Sequence, residues 1–600
     1  MKENQMATTA GQELGHYLVG QKSLRKHPQW SPLIEIATGE TNLSSAGFPY
    51  ICDRSFRLFV EEVPHLFREG QLLLSWLRLL EKVLTDFDEL SEAQRKSVER
   101  AIKVIRTVVL TAGITAPPDL WLLKQVLSSY KEAGICDWFL EHKVLEPEAF
   151  SKRHKIDIRQ LKIDLHFLHS RGYLEKGDGD FLISDKDAVI DVLRNIQAIN
   201  PNFRVDIFSK LRSWLSGQVK SKESEKFLRT WLTFEADDSP TGSWIANHHQ
   251  VELGYRLLPL VLALRALELT EKLSEGIVFA ENVPNMLPEI AEIFSKAGYL
   301  QEGRVTQIGG RVFQRGSGPF GIIYAYHPYI NQLNDILKSK VVSTWVHRGD
   351  NVCASQDANS KTFQAANNAL DAFCQEHKFK FTVFVEHAVG QGEATRQRFL
   401  KDGENEIRYF GADLEDAAIN RAIEQQEIGR LPANMKFIRS ADIGQPSKVL
   451  KFLKKEGLAD EPTVMVVGNG FHEIREQTND KMIDVFRQYQ EAGFVLIFAE
   501  ESALHDEALL RTAWNTYHAG FRYVHEISGQ GLRPAWELEQ GQRRWSWRKC
   551  ATVGGYTVLE KYSYRSRTIY PHKRPIRKNP SISETYFCIP QSLAKFLRIS

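Results

Sequence analysis

Between Phe381 and Phe498 the chain repeats one pattern, a short apolar run, a loop and a helical stretch, and nothing else in its 600 residues constrains the fold so tightly. Phe381-Thr382-Val383-Phe384-Val385 leads into Glu386-His387-Ala388-Val389-Gly390-Gln391-Gly392, and Ala394 to Lys401 reads as a helix. Further runs follow at Ile407 to Phe410, Met435 to Ile438, Thr463 to Val467 and Phe494 to Phe498. A strand buried on both faces is apolar almost throughout, whereas strict alternation marks one wet face. The runs therefore predict the interior of a mostly parallel sheet covered by helices, a Rossmann-like α/β domain. Glycines in the first loop let the backbone turn tightly and approach a bound group where a side chain would collide.

Each predicted strand ends in residues suited to holding a ligand, and open α/β sheets bind at that carboxyl edge. The second run ends in Gly411-Ala412-Asp413-Leu414, the third near Ala441-Asp442-Ile443 and the fourth in Gly468-Asn469-Gly470-Phe471-His472-Glu473. The fifth ends in Ala499-Glu500-Glu501. Asp413 stands about twenty residues beyond the glycine loop, where an acid accepts hydrogen bonds from ribose hydroxyls.

On these residues the segment resembles the class I S-adenosylmethionine-dependent methyltransferases, whose first loop reads acid-x-Gly-x-Gly-x-Gly. Glu386, Gly390 and Gly392 match that pattern, while Ala388 stands where the first glycine is usual. The resemblance implies a seven-stranded sheet and S-adenosyl-L-methionine as cofactor. Glu386, Ala388, Gly390 and Gly392 would then form the cofactor loop, with Asp413 and the adjoining Leu414 at the ribose. Asp442-Ile443 would hold the adenine, and Gly468-Asn469 would line the methionine side. A dinucleotide-dependent dehydrogenase is the nearest competitor. Asp442 speaks against it, having a job at an adenine amino group only in the methyltransferase arrangement.

Methyl transfer is an in-line displacement from a sulfonium, so alignment and exclusion of water matter most. A hydroxyl acceptor also needs a general base. His472 is the candidate, because histidine in solution titrates near neutrality. The pair His472-Glu473 is similar to that of small-molecule O-methyltransferases carrying an amino-terminal winged helix for dimerisation. In that subgroup a His followed by an acid after the fourth strand acts on the acceptor hydroxyl. This chain departs from the subgroup in its length and its extra helical region. His387 inside the loop, and Tyr517-His518, Arg522-Tyr523, His505 and His525 beyond the fifth strand, are further candidates for the acceptor pocket.

The front half reads as helical. Gln71 to Leu84 carries a broad apolar face, Ser91-Glu92-Ala93 starts a helix, Pro117-Pro118 is expected to break it, and Asp119 to Tyr130 resumes. Two stretches share a winged-helix grammar of helix, glycine stop, strand, turn and strand. They centre on Ser170-Arg171-Gly172-Tyr173-Leu174 and Lys296-Ala297-Gly298-Tyr299-Leu300. The expected domains are a helical region at 1–135, winged-helix-like regions at 136–255 and 256–345, and the α/β domain with a carboxy-terminal extension at 346–600.

Composition narrows the class. The 77 basic residues nearly balance the 75 acidic ones, and this lacks the basic excess of a dedicated nucleic-acid binder. The six cysteines, Cys52, Cys136, Cys353, Cys374, Cys550 and Cys588, fall at no metal or redox spacing, so reduced thiols and no metal centre are expected. The amino terminus has no apolar core, and the run Leu257 to Leu269 is too short to span a membrane. Arg348-Gly349-Asp350 is read as chance, and the basic stretch Arg565 to Lys578 as a solvated extension. The expectation is a cytoplasmic homodimer that methylates a small molecule, on oxygen before nitrogen. The rivals are a protein methyltransferase and a catalytically silent winged-helix regulator.

Overall fold

The computed structural model describes residues 17–599 apart from isolated positions and short stretches, the longest being 44–48, 60–65, 87–90, 236–243, 341–351, 403–406, 511–516, 535–543 and 566–582. The Arg348-Gly349-Asp350 tripeptide, His505 and nearly all of the basic stretch after Arg565 lie outside the described residues. Two compact units emerge. Described residues up to Lys340, together with Asp506–Leu510 and Tyr517–Tyr523, form a helical unit; the remainder form an α/β unit.

In the helical unit the predicted start at Ser91 is a capping box. The Ser91 hydroxyl accepts from the Gln94 N–H while the Gln94 side chain accepts from the Ser91 N–H. The expected break at Pro117-Pro118 does not occur, and one helix runs through Glu92–Glu132. The two prolines deprive the Gly113 and Ile114 carbonyls of their helical donors. Gly113 O instead accepts from the Tyr299 hydroxyl at 2.9 Å. Every residue from Ala112 to Tyr130 is buried, and this packing offsets the local cost of about 3 kcal/mol per interior proline.

Both helix–glycine–hairpin units form. Helix Ile158–Ser170 leads through Gly172 (φ +81°) to strands Leu174–Lys176 and Phe181–Ile183, which Val144–Leu145 extends to three strands. Helix Pro288–Lys296 leads through Gly298 (φ +72°) to the pair Leu300–Gln301 and Arg304–Val305.

A buried polar network fastens Asp506–Leu510 and Tyr517–Tyr523 inside this unit. Arg171 donates to the Asp119 carboxylate at 3.2 Å and to Leu509 O at 2.8 Å, and the Gly520 N–H donates to Asp119 at 3.0 Å. Asp506 pairs with His166 and Arg522, while Tyr523 Oη (2.8 Å) and Gln160 Nε2 (2.7 Å) donate to Asp164 Oδ1. Burial pushes the Asp164 carboxyl up to about 7 against these hydrogen bonds, which act to lower it. An unfolded aspartate ionises near 3.8, so the folded chain binds the extra proton between pH 4 and 7. That contribution to stability is fully present below pH 4 and is lost as pH rises to about 7, on the order of 4 kcal/mol at most. Asp164→Asn is expected to flatten this slope. Urea midpoints of both chains across pH 4–8 measure it, and parallel slopes would contradict the assignment.

The α/β unit begins with helix α1 (Val352–His377). There follow β1 (Val383–His387), α2 (Glu393–Asp402), β2 (Arg408–Ala412), α3 (Asp416–Glu427), β3 (Lys436–Ile438), α4 (Ser447–Lys455) and β4 (Thr463–Gly468). Next come α5 (Asn479–Glu491), β5 (Val495–Glu501), β6 (Tyr556–Val558), β7 (Tyr564–Arg565) and β8 (Ser583–Pro590). The sheet order is β3-β2-β1-β4-β5-β8-β6, with β7 pairing on β8. Strands β1 to β5 are parallel, and β8 runs antiparallel to β5, β6 and β7. This is a mostly parallel Rossmann-like sheet. Its continuous row holds the seven strands expected, and the two-residue β7 is an addition.

One sheet face packs Val385, Met465, Val467 and Phe498 against α4 and α5. The other packs Phe384, Val464, Val466 and Ile497 against α1, α2 and α3. Strand pleating explains why the runs are apolar throughout, since alternate residues face two covered layers. Contact with α1 is so close at Gly468 that a Cβ there would lie 2.4 Å from Phe363 Cζ. Gly468→Ala is expected to cost about 1–3 kcal/mol by overpacking. Most of that should return in the double variant with Phe363→Leu, as denaturant midpoints would show.

Candidate active site

All five parallel strands deliver their ends to one edge of the α/β unit. The first loop takes left-handed backbone at Ala388 (φ +58°), Gly390 (φ +54°) and Gly392 (φ +81°). For glycine that conformation is free, whereas Ala388 bears roughly 1–2 kcal/mol of strain. A Cβ on Gly392 would also lie 2.8 Å from Leu431 Cδ1, so the loop depends on glycine there twice over.

Glu386 is buried and turned into the protein. Its two carboxylate oxygens accept the N–H groups of Ala394 (3.1 Å) and Thr395 (2.8 Å) at the start of α2. Burial pushes it up to about 7. Its work in this arrangement is to tie the loop to the helix it precedes, consistent with a carboxylate at a helix amino terminus.

Asp413, just past β2, reaches back to the loop, where Gly390 N–H donates to Oδ2 at 3.3 Å and Glu415 N–H to Oδ1 at 3.0 Å. Burial raises its carboxyl to about 6, so it is ionised at neutral pH. Each oxygen keeps a second lone pair for a hydroxyl of a ligand. Leu414 beside it is exposed. Asp413 also splices β2 to β3: its N–H donates to Ile438 O and its carbonyl accepts from Ala441 N–H. Asp442 closes its own turn onto Gly444 N–H at 2.8 Å, and Ile443 is buried. At the end of β4, Asn469 is left-handed (φ +53°) and its N–H donates to Ala499 O of β5 at 2.8 Å.

His472 lies in the short turn Phe471–Glu473 beyond β4, 4% exposed. Its Nδ1 is 2.7 Å from Glu500 Oε2, and the other Glu500 oxygen accepts the Phe471 N–H at 2.6 Å. A carboxylate only accepts, so this bond puts the imidazole proton on Nδ1. His525 packs edge-on against the ring, 4.9 Å between centroids. Glu473, the acid that follows His472, is half-buried, and its N–H donates to Gly470 O at 3.2 Å.

Several supporting residues carried no sequence signal of their role. Glu500 appeared only as a strand-end acid; its position on β5, the neighbour of β4, was the available clue. Gln477 donates to Phe471 O at 2.7 Å and accepts from Arg533 Nε at 2.9 Å. Arg533, fully buried, also donates to Asn479 Oδ1, Thr478 O and Trp545 O. Arg522 and Tyr523, read from sequence as candidates for the acceptor pocket, spend their polar groups on Asp506 and Asp164.

The donor set suits a nucleoside-bearing cofactor. It combines a loop whose backbone is free of side chains at Gly390 and Gly392, an ionised acid, Asp413, past the end of β2 and a buried apolar residue, Ile443, beyond the end of β3. No protein-family model matches the chain, and no curated protein does. Among solved structures it is similar to the CurJ carbon methyltransferase, at 11% identity over 88% of this chain and 100% of that one, TM-score 0.34. It is also similar to the O-methyltransferase family 2 protein of Planctomyces limnophilus, solved with apigenin, at 10% identity over 80% and 96%, TM-score 0.33. A third is the CMeT domain of the citrinin polyketide synthase, at 12% identity over 90% and 98%, TM-score 0.30. Scores this low carry neither fold nor chemistry, which rest on the sheet and the residues above.

Proposed function

We propose that the chain is an S-adenosyl-L-methionine-dependent methyltransferase acting on a small-molecule hydroxyl. The observation that supports this best is the buried His472–Glu500 pair, held at the same sheet edge as the glycine loop and Asp413. In this reading Gly390, Gly392 and Asn469 border the methionine part, Asp413 holds the ribose, and Asp442 and Ile443 flank the adenine. The cofactor, when bound, supplies an electrophilic methyl group on a sulfonium. His472 Nε2 takes the acceptor hydroxyl proton as the oxygen attacks, and Glu500 stabilises the resulting imidazolium through Nδ1–H. A base of this kind serves an oxygen acceptor more than an amine, which can attack unaided once neutral. The helix–glycine–hairpin units, read as winged-helix elements, are assigned to contact between two copies in a cytoplasmic homodimer.

Isothermal titration with S-adenosylmethionine and S-adenosylhomocysteine tests the cofactor. Asp413→Ala is expected to weaken binding about tenfold or more, since hydrogen bonds to a charged group contribute roughly 1.5–3 kcal/mol each. Affinity for the wild-type chain should fall as pH drops through about 6, where Asp413 gains its proton and stops accepting from both hydroxyls. A wild-type chain that binds neither compound rejects the methyltransferase reading; one that binds justifies an acceptor screen beginning with phenols.

A further inference from the structure

His387 is a buried side chain with no place in the mechanism above. It is the last residue of β1, 1% exposed, and lies opposite Ala412 of β2 and Val467 of β4. Between β1 and β4 the strand order reverses, since the chain builds β2 and β3 on one side and β5 on the other. That crevice is where doubly wound sheets bind their ligands.

Pleating sends Glu386 and His387 to opposite faces. Glu386 is satisfied by the start of α2. The His387 Nδ1 accepts the N–H of Ala388 at 3.0 Å, so that nitrogen bears no proton. Burial alone lowers the ring to about 3, and it is neutral at any working pH. Its single proton is therefore on Nε2, and Nε2 is buried with no hydrogen-bond partner. A buried donor without an acceptor is rare in folded proteins and calls for an explanation. Packing does not supply one, because the facing residues Ala412 and Val467 are apolar and an aliphatic side chain would fill the position without the stranded donor.

The surroundings indicate which part of a ligand would meet it. Ala412 immediately precedes Asp413, the ribose acid. Val467 and Ile443, the latter assigned to the adenine, converge on Gly470, where a Cβ would lie 2.8 and 3.1 Å from their side chains. His387 thus stands between the two groups that bracket a nucleoside. We propose that His387 is a cofactor-binding residue whose Nε2–H donates to an acceptor atom of the nucleoside half, an adenine nitrogen or a ribose oxygen. The assignment rests on the methyltransferase reading.

The test is the imidazole N–H spectrum of the ¹⁵N-histidine-labelled full chain, titrated with adenosine and with S-adenosylhomocysteine, beside calorimetry on His387→Phe and His387→Gln. Loss of one signal in His387→Gln identifies the resonance. Both compounds are expected to move it downfield and slow its exchange. His387→Phe should bind S-adenosylhomocysteine at least tenfold more weakly, and His387→Gln, which keeps an N–H donor, should lie between. If S-adenosylhomocysteine binds the wild-type chain without moving the signal, the proposal is overturned and the methyltransferase reading stands. If it moves the signal but adenosine does not, the nucleoside assignment is wrong. If the wild-type chain binds neither, the cofactor reading and this proposal fall together.

Discussion

Replacing His472 by alanine is expected to lower turnover of a hydroxyl acceptor by about 10²–10⁴-fold while leaving S-adenosylhomocysteine affinity within roughly twofold. The asymmetry follows from position. His472 sits on the turn past β4 with its Nδ1 bonded to Glu500, and in the proposed reading Nε2 is the nitrogen that takes the acceptor proton. Glu500→Gln should cost nearly as much without removing the imidazole. A glutamine amide can donate to Nδ1, which shifts the proton to Nε2 and turns the base into a donor. A second signature separates this from simple unfolding: the Gln variant should keep its melting temperature close to wild type, because the Phe471 N–H still finds a side-chain oxygen. Equal loss of cofactor binding and turnover in both variants would reassign the pair to structure, and full turnover in His472→Ala would remove the base altogether.

Arg533→Met is expected to destabilise the α/β unit by about 3–5 kcal/mol. The guanidinium is fully buried and satisfies Gln477, Asn479 and the carbonyls of Thr478 and Trp545, while lying 5.7 Å from the Trp547 ring centroid. Removing it strands those acceptors in the interior, and each stranded group costs about 1–3 kcal/mol. Arg533→Lys should rescue little, because an ammonium cannot span the fork that four acceptors require. Gln477 also holds Phe471 O, so the damage should spread to the turn that carries His472. Hydrogen exchange at residues 471–479 would accelerate in the variant more than at β1 or β2. Uniform acceleration would mean that Arg533 supports the whole unit and not this turn.

Legibility in the sequence tracked how local the physics was. The five parallel strands could be read to within a few residues because burial on both faces leaves a continuous apolar run. The glycine loop was visible for a similar reason, since positive φ at Gly390 and Gly392 is a property of single residues. The helix at Glu92–Glu132 shows the opposite case. Its prolines break a helix in isolation, and what overrides them is a hydroxyl from Tyr299, 186 positions away, together with burial on every side.

The site divides in the same way. Sequence alone determined that acids, amides and a histidine would collect at one sheet edge, because strand ends and their spacing are written along the chain. The resemblance to the O-methyltransferase subgroup put Glu473 beside His472 as the acid that follows it. Only the tertiary structure decided that Glu500 holds that imidazole and that Glu386 turns inward to cap α2. Only it showed that Arg522 and Tyr523 are committed to Asp506 and Asp164, and that the His387 donor is stranded at the crevice. Those choices depend on which strands lie side by side and which faces the pleat exposes, and a hydrogen bond between distant residues leaves no periodic mark on the chain that makes it.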